Sequence, residues 1–346
     1  MSLTSTHQLR TVLVTGGCGF IGSAFAKRAV AEGHRVIVLD AMTYAADPMN
    51  LADQPDIKVV VGNITDTELV AKLLSEHRID TVVNFAAETH VDRSISSPED
   101  FVQTNVVGVY SLLTASLAYQ QQLDEAAAER FRFVQISTDE VFGSLEATGF
   151  FTEETAYSPR SPYSASKAAA DHLVMAWHHT YGLPTIITYC TNNYGAFQYP
   201  EKLIPHMVQQ ALLGEALPVY GDGSNVRDWI YVEDHVRGIL SAIERGAPGR
   251  TYAFGGGNER SNLELVRQIC TILDRVSPRV DQVSYTEQIR FVADRLGHDF
   301  RYAIDGDRAK RELGYTPSAQ FAEALELTIR WCVDRANRTS SVEGQA

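Results

Sequence analysis

The chain has 346 residues, 45% of them apolar and 21% charged, the balance of a globular protein that can build one large core or one large and one small domain. A formal net charge of −13 excludes a protein that grips nucleic acid through a basic face, but not one that binds an anionic small ligand at helix N-termini and a few arginines. The four cysteines, Cys18, Cys190, Cys270 and Cys332, form no C-x-x-C pair, so neither a zinc site nor a disulfide framework is signalled and buried free thiols in a reducing compartment are expected.

In chain order, the opening "MSLTSTHQLR" has no apolar leader core, and no window reads as approaching the length of a membrane span. The expectation is a soluble cytoplasmic protein with no metal and neither a membrane nor a nucleic-acid partner. Short, nearly continuous apolar runs follow at 11–15, 35–40, 57–62, 81–86, 131–137 and 184–190, as strands covered on both faces should be. Helical periods lie between them at 20–32, 66–77, 100–123 and 163–181. This alternation predicts an α/β fold, a Rossmann-like doubly wound parallel sheet. Past residue 191 the rhythm breaks into helices near 201–213, 233–246, 261–275 and 318–335, separated by "YGDGSNVRDW", "FGGGNERSN" and the polar stretch before "DRLGHDFRYAIDGD". The division expected is 1–190 for a dinucleotide-binding domain carrying the chemistry, 191–336 for a smaller C-terminal substrate-binding α/β part, and 337–346 for a flexible tail.

Three motifs carry chemistry. In "VTGGCGFIGS", Gly17, Gly19 and Gly22 fit G-x-G-x-x-G, while Gly16, Gly19 and Gly22 fit G-x-x-G-x-x-G. Such glycines let backbone N–H groups approach a pyrophosphate at a helix N-terminus. Asp40, closing the second strand in "VIVLD", is placed to accept from a ribose 2′-hydroxyl, which favours NAD over NADP. In "SPYSASKAAAD", Tyr163 and Lys167 stand four apart on one helix face, where an ammonium can favour ionisation of a phenol with an ordinary pKa of about 10. The third motif is a puzzle. In "QISTDEVFG" two carboxylates, Asp139 and Glu140, directly follow a run that reads as a buried strand, where Gly, Asn or Pro would be the ordinary turn residues.

From residue 11 to 316 the chain resembles the extended short-chain dehydrogenases/reductases, and within them the nucleotide-sugar 4,6-dehydratases. The resemblance rests on "TGGCGFIGS", "NFAAETHVDRSI", "STDEVFG", "SPYSASKAAADH", "NNYGAFQYPEKLIP", "LPVYGDGSNVRDWIYVEDH" and "DRLGHDFRYAID". It implies a lyase with tightly bound NAD that removes water from a nucleotide-diphosphate sugar, dTDP-glucose first among the substrates, to give a 4-keto-6-deoxy sugar. Carried over by position, Tyr163 takes the O4 proton while C4 is oxidised, Thr138 hydrogen-bonds the C4 oxygen, Glu140 removes the C5 proton, and a protonated Asp139 serves the departing C6 hydroxyl. Opposite proton duties for neighbouring carboxyls agree with the rule that environments push paired pKa values apart.

The resemblance also implies a cofactor set of Gly16, Gly19, Phe20, Ile21, Gly22, Asp40, Asn63, Ile64, Ala86, Ala87, Thr104, Tyr163, Lys167 and Asn193. The substrate set it implies is Thr89, His90, Thr138, Asn192, Lys202, Leu203, Arg227, Asn262, Arg295, His298 and Tyr302, with Arg93 also facing the sugar. A homodimer packed through the helices near 100–123 and 161–181 is expected as well. Departures from the family pattern stand at Phe142 (usually Tyr), Asn63 (usually Asp), Thr89 (usually Ser), and Ala196 and Leu296 (usually Pro). They leave a UDP-hexose or UDP-N-acetylhexosamine open as substrate, and a nucleotide-sugar 4-epimerase as the alternative activity. A non-catalytic NAD sensor would have no use for Thr138, Asp139, Glu140, Tyr163 and Lys167 together.

Overall fold

The computed structural model describes residues 9–295 and 297–343; residues 1–8, Leu296 and residues 344–346 lie outside the described residues. The first half alternates as the sequence requires: β1 (Thr11–Thr15), α1 (Phe20–Ala31), β2 (Arg35–Asp40), β3 (Lys58–Val61), α2 (Thr67–His77) and β4 (Thr81–Asn84). Short helices α3 (Val91–Ser96) and α4 (Pro98–Phe101) lead into a π-helical stretch, Val102–Gly108, and then α5 (Val109–Gln120) and α6 (Glu125–Arg130). β5 (Arg132–Ile136), α7 (Pro162–Tyr181) and β6 (Thr185–Cys190) complete this half. Beyond it come β7 (Asn192–Tyr194), α8 (Leu203–Leu213), β8 (Leu217–Tyr220), β9 (Val226–Tyr231), α9 (Val232–Arg245), β10 (Thr251–Phe254), β11 (Glu259–Ser261), α10 (Asn262–Val276), β12 (Ile289–Val292) and α11 (Phe321–Glu343).

Seven parallel strands form the main sheet in the order β10-β6-β5-β4-β1-β2-β3. Successive residues of a strand point to opposite faces, and the core divides accordingly. Leu13, Ile37, Val82, Phe133 and Ile187 meet α2, α5 and α7 on one face. Val12, Val14, Val36, Val134 and Ile186 meet α1 and α9 on the other. Each such side chain contributes about 1.5–3 kcal/mol by leaving water. A separate apolar cluster joins α8, α10, α11 and Trp229. The strand order reverses beside β1, so the crevice outside the carboxyl ends of β1 and β4 is where this architecture places ligands.

Several expectations are corrected. The sheet takes its seventh strand, β10, from residues 251–254, so a division at 190/191 does not separate sheet from substrate part. β3 is an edge strand rather than a covered one, with Val61 69% exposed. The single helix read over 100–123 is interrupted by the π-helical stretch, where a Cβ on Gly108 would lie 2.5 Å from the Ile64 side chain and where Asn105 turns inward to bond both backbone groups of Glu88. The helical run Pro98–Gln120 is, by length and a mean hydropathy of 1.3, apolar enough to cross a membrane, contrary to the sequence reading. Half of that window is buried against the protein's own core, which is why an apolar core helix passes the same test. α11 continues to Glu343, through part of the segment expected to be a tail, since no Gly or Pro intervenes before Gly344. Cys18, Cys190 and Cys270 are buried, Cys332 is half-buried, and none is in a disulfide.

Candidate active site

The loop between β1 and α1 is built by close backbone approach. A Cβ on Gly22 would lie 2.3 Å from the Gly16 carbonyl oxygen, and one on Gly16, whose φ is +66°, would lie 2.7 Å from the Ala86 nitrogen. Gly17 packs on Val38 instead, so the glycines bordering the cleft are Gly16, Gly19 and Gly22. No side chain caps α1 at Gly19, which leaves the N–H groups of its first turn for a ligand. Asp40 is fixed beside this loop, accepting from the Cys18 N–H and the Met42 N–H, both at 2.9 Å. Asn63 accepts from the Thr65 N–H and hydroxyl at 2.9 Å through Oδ1, which leaves its amide NH2 to offer. Every residue of the cofactor set lines one cavity of about 330 Å³ above these strand ends.

The puzzle of "STDEVFG" resolves locally. Thr138, two residues past the end of β5, caps a 3-10 turn, Asp139–Phe142, by accepting from the Glu140 N–H at 3.2 Å. Gly143 closes the turn at φ +89°, where a Cβ would lie 2.6 Å from the Ser158 carbonyl oxygen. The turn aims both acids into the cleft rather than to bulk water. Asp139 is 2% exposed, and its Oδ2 has no hydrogen-bond partner among the described residues. Burial, then the charges of Glu140 and Asp228, push its carboxyl well above the ordinary range. Burial raises Glu140 as well, while Arg227 and Lys202 pull against it. Both carboxyls are thus raised, but the leading charge acting on Asp139 is negative, that of Glu140, and the leading charge acting on Glu140 is positive, that of Arg227.

Tyr163 and Lys167 come from the first two turns of α7, whose N-terminus is fixed by a Ser161/Ser164 capping box and Pro162. Burial pushes the Tyr163 phenol well above its ordinary value, Glu140 and Cys190 add to that, and Thr138 works against it. A phenol so placed needs positive charge beside it before it can act as a base. The Lys167 ammonium donates to the Ile136 carbonyl at 2.6 Å. Thr104 reaches the same cavity from the π-helical stretch.

A second cavity of about 450 Å³ adjoins the first, and Thr89, Glu140, Asn192, Glu201 and Lys202 line both. His90, Leu203, Arg227, Asn262, Arg295, His298 and Tyr302 line the second, whereas Thr138 lines the first alone. Arg227 lies 4.3 Å over the Tyr302 ring and donates to the carbonyls of Val226, Asp299 and Phe300. Arg295 is paired with Asp92 at 2.8 Å and lies over Tyr220. Lys202 donates to the Thr89 carbonyl at 3.0 Å. Arg93 lines neither cavity; it stacks on the Tyr44 ring at 3.8 Å, and the Tyr44 hydroxyl donates to Glu201. Asn193 is held by His235, Cys190 and Thr191.

Sequence reasoning missed Glu201, which accepts from the Tyr44 hydroxyl at 3.1 Å and lies near His90 and Lys202 at the junction of the cavities. Its signal is present in "YPEKLIP", one residue before Lys202. Cys190, also missed, lines the first cavity between Asn193 and Ser137, and burial raises its thiol to about 12.

Residues 13–328 match the family model described as GDP-mannose 4,6 dehydratase. The chain is 52% identical over 326 residues, 93% of each chain, to a dTDP-glucose 4,6-dehydratase of Xanthomonas campestris pv. campestris (strain B100). It is 46% identical over 348 residues, covering 97% of this chain and 96% of the other, to dTDP-glucose 4,6-dehydratase 1 of Escherichia coli (strain K12). Among solved structures, the dTDP-glucose 4,6-dehydratase DesIV of Streptomyces venezuelae, with NAD bound, superposes with a TM-score of 0.86 at 44% identity, covering 95% of this chain and 98% of that one. A UDP-glucose 4-epimerase of Thermotoga maritima, with UDP-glucose, superposes at 0.84 but with 27% identity, covering 94% and 99%.

Proposed function

The chain belongs to the dTDP-glucose 4,6-dehydratase family, and we propose that it converts dTDP-glucose to dTDP-4-keto-6-deoxyglucose with tightly bound NAD. The observation that carries the reading is the adjacent acids at the end of the cleft, a buried Asp139 lining the first cavity and a half-buried Glu140 lining both, with Thr138 and Tyr163 in the same first cavity. A 4-epimerase needs no acid to expel a C6 hydroxyl, and such an enzyme shares the fold at much lower identity.

The glycine loop, the uncapped first turn of α1 and Asp40 fit a dinucleotide whose pyrophosphate meets backbone N–H groups and whose ribose hydroxyl meets a carboxylate. When bound, NAD supplies the hydride acceptor at C4 and the hydride donor at C6. Tyr163 takes the O4 proton, and the oxidised nicotinamide's positive charge opposes the burial that holds its phenol neutral. Thr138 donates to the C4 oxygen. Oxidation at C4 acidifies the C5 proton, which Glu140 removes and, once C6 has been reduced, gives back to C5. Asp139, held protonated by burial and by Glu140 and Asp228, gives its proton to the C6 hydroxyl, and water leaves. Arg227, Arg295, Asn192, Asn262, Lys202 and His298 bind the diphosphate and base from the second cavity, where the arginine forks suit phosphate oxygens. We assign residues 191–336 to this task apart from α9 and β10, which belong to the main sheet and its covering helices.

Incubation with dTDP-glucose, UDP-glucose and UDP-N-acetylglucosamine, followed by mass spectrometry, tests the reading. Loss of one water from dTDP-glucose is expected; an unchanged mass for all three would overturn it. A homodimer is inferred from exposed Tyr110 in α5 and exposed Tyr181 at the end of α7, which meet through Trp177 at ring distances of 5.8 and 5.4 Å as an apolar face suited to a second copy, and a cytoplasmic location from the free thiols. Light scattering at working concentration should give twice the mass of 38.2 kDa, and a monomer would count against the pairing.

A further inference from the structure

Lys167 is 4% exposed, and its ammonium meets a neutral carbonyl, that of Ile136. A buried cation with a neutral acceptor needs an anion nearby. One helical turn further along α7 stands Asp171, 0% exposed. Its Oδ2 accepts from the Ser137 hydroxyl at 2.5 Å and from the Tyr157 hydroxyl at 3.3 Å, while Oδ1 has no partner among the described residues. The Tyr157 hydroxyl in turn lies 2.5 Å from that of Tyr189. This is a hydroxyl shell around a carboxyl that touches neither cavity.

We propose that Asp171 is a positioning residue for the oxidation step, the buried counter-charge that keeps Lys167 an ammonium and through it sets the pH range in which Tyr163 works, with Ser137, Tyr157 and Tyr189 holding its carboxyl in place. The proposal rests on the reading of Tyr163 and Lys167 as the oxidation pair. Burial pulls Lys167 down, and Asp171 is the strongest influence holding it up, with Cys190 next. Burial also lifts Asp171 to about 7, against Lys167, Ser137 and Tyr157, so its charge is held in balance rather than fixed. The titratable groups around this pair are Lys167 from α7, His172 packed on Tyr157, Tyr157 from the preceding loop, and Tyr189 and Cys190 from β6; Glu140 and Asp139 act on Tyr163. Glu153 and Arg308 reach the network only through Tyr189.

Removing the negative charge favours the deprotonated form of both Lys167 and Tyr163. In the holoenzyme of the Asp171→Asn variant, the pH profile of single-turnover C4 oxidation, read as reduced-cofactor absorbance with dTDP-glucose, should shift bodily to lower pH by about one unit on both limbs. Tyr157→Phe keeps the packing and removes one donor to Asp171, so its profile should move the same way by less. A readout independent of turnover is the near-ultraviolet phenolate titration with the Tyr163→Phe signal subtracted, in which Tyr163 should ionise at lower pH in Asp171→Asn. A reduced rate with unmoved limbs, or an unmoved Tyr163 titration, would show that Asp171 only supports the helix and would overturn the proposal. Should Asp171→Asn not fold, unmoved limbs in Tyr157→Phe overturn it instead. Failure of the dehydratase reading would show separately, as wild-type protein that loses no water from dTDP-glucose.

Discussion

Replacing Gly22 by alanine tests the cofactor loop at its tightest point. The new Cβ would stand 2.3 Å from the Gly16 carbonyl oxygen and 3.0 Å from both the Gly16 carbonyl carbon and the Gly17 Cα. All three are backbone atoms, so no side chain can swing away. Relief requires α1 to part from the loop, and Gly19 N–H to Gly16 O at 3.2 Å and Ser23 N–H to Gly19 O at 3.0 Å transmit that movement to the first turn of the helix. Overpacking of this kind costs about 1–3 kcal/mol. Taken from cofactor binding, that is a loss of about 5- to 150-fold in NAD affinity. The assay is the NAD content of purified protein together with NAD titration of the stripped protein. Gly33→Ala is the control: its φ is +87° but no atom lies within 4 Å, so strain of roughly 1–2 kcal/mol should lower the melting temperature without releasing NAD. Gly22→Ala protein that retained NAD as the wild type does would refute the assignment of this loop to the pyrophosphate.

Glu140→Gln should still oxidise C4, because Tyr163 and Lys167 are untouched, and should accumulate reduced cofactor with a 4-keto sugar bound; turnover at the wild-type rate would sink the base assignment. Asp139→Asn should stall at elimination, with kcat lowered by about 10²–10⁴-fold. In deuterated water the wild-type product should carry solvent deuterium at C5, which Glu140→Gln should largely prevent. His235 gives a stability prediction. It is wholly buried, its Nδ1–H donates to Asn193 Oδ1 at 2.8 Å, and burial lowers it to about 3. An unfolded histidine takes its proton near pH ~6.5 while this one stays neutral, so the unfolded state binds more protons and stability falls as pH drops through the window between those values. The slope from this residue is about 1.4 kcal/mol per pH unit. Urea unfolding of His235→Gln should be flatter than wild type below pH ~6.5, and parallel curves would refute it.

What could be read from the sequence was what depends on neighbours in the chain. The Gly loop, the four-residue spacing of Tyr163 and Lys167, and the alternation of apolar strand and amphipathic helix are all short-range patterns, and the structure brings Gly16, Gly19, Gly22, Tyr163 and Lys167 to one cleft, with Gly17 turned onto Val38 instead. What escaped depends on distant packing. "IKVVVG" reads alike for a covered and an edge strand, and only the absence of a neighbour beyond β3 among the described residues leaves Val61 exposed. "TYAF" is four residues long and gives no periodic signal, yet it pairs with β6 because the chain returns to the sheet after α9. "VQTNVVG" carries no proline and its one glycine does not announce a π-helical turn; the approach of Gly108 to Ile64 and the inward bonds of Asn105 decide it.

The aspartates show the same division within the site. Asp40, Asp139 and Asp171 are one side chain in three short motifs, and the sequence offers the same carboxyl each time. Asp40 meets two backbone N–H groups and becomes a fixed acceptor beside the glycine loop. Asp139 meets the half-buried Glu140 next door, leaves one oxygen unpartnered among the described residues and is pushed toward its protonated form. Asp171 meets two hydroxyls and a lysine one turn away, which suits a counter-charge and not a reactant. Strand ends can be located from hydrophobic period alone, but whether an acid there binds, donates or balances depends on which donors and charges converge on it from other elements. In this fold some of those come from far along the chain, Asp228 and Arg227 of β9 for Asp139, and Ser137 after β5 and Tyr157 before α7 for Asp171.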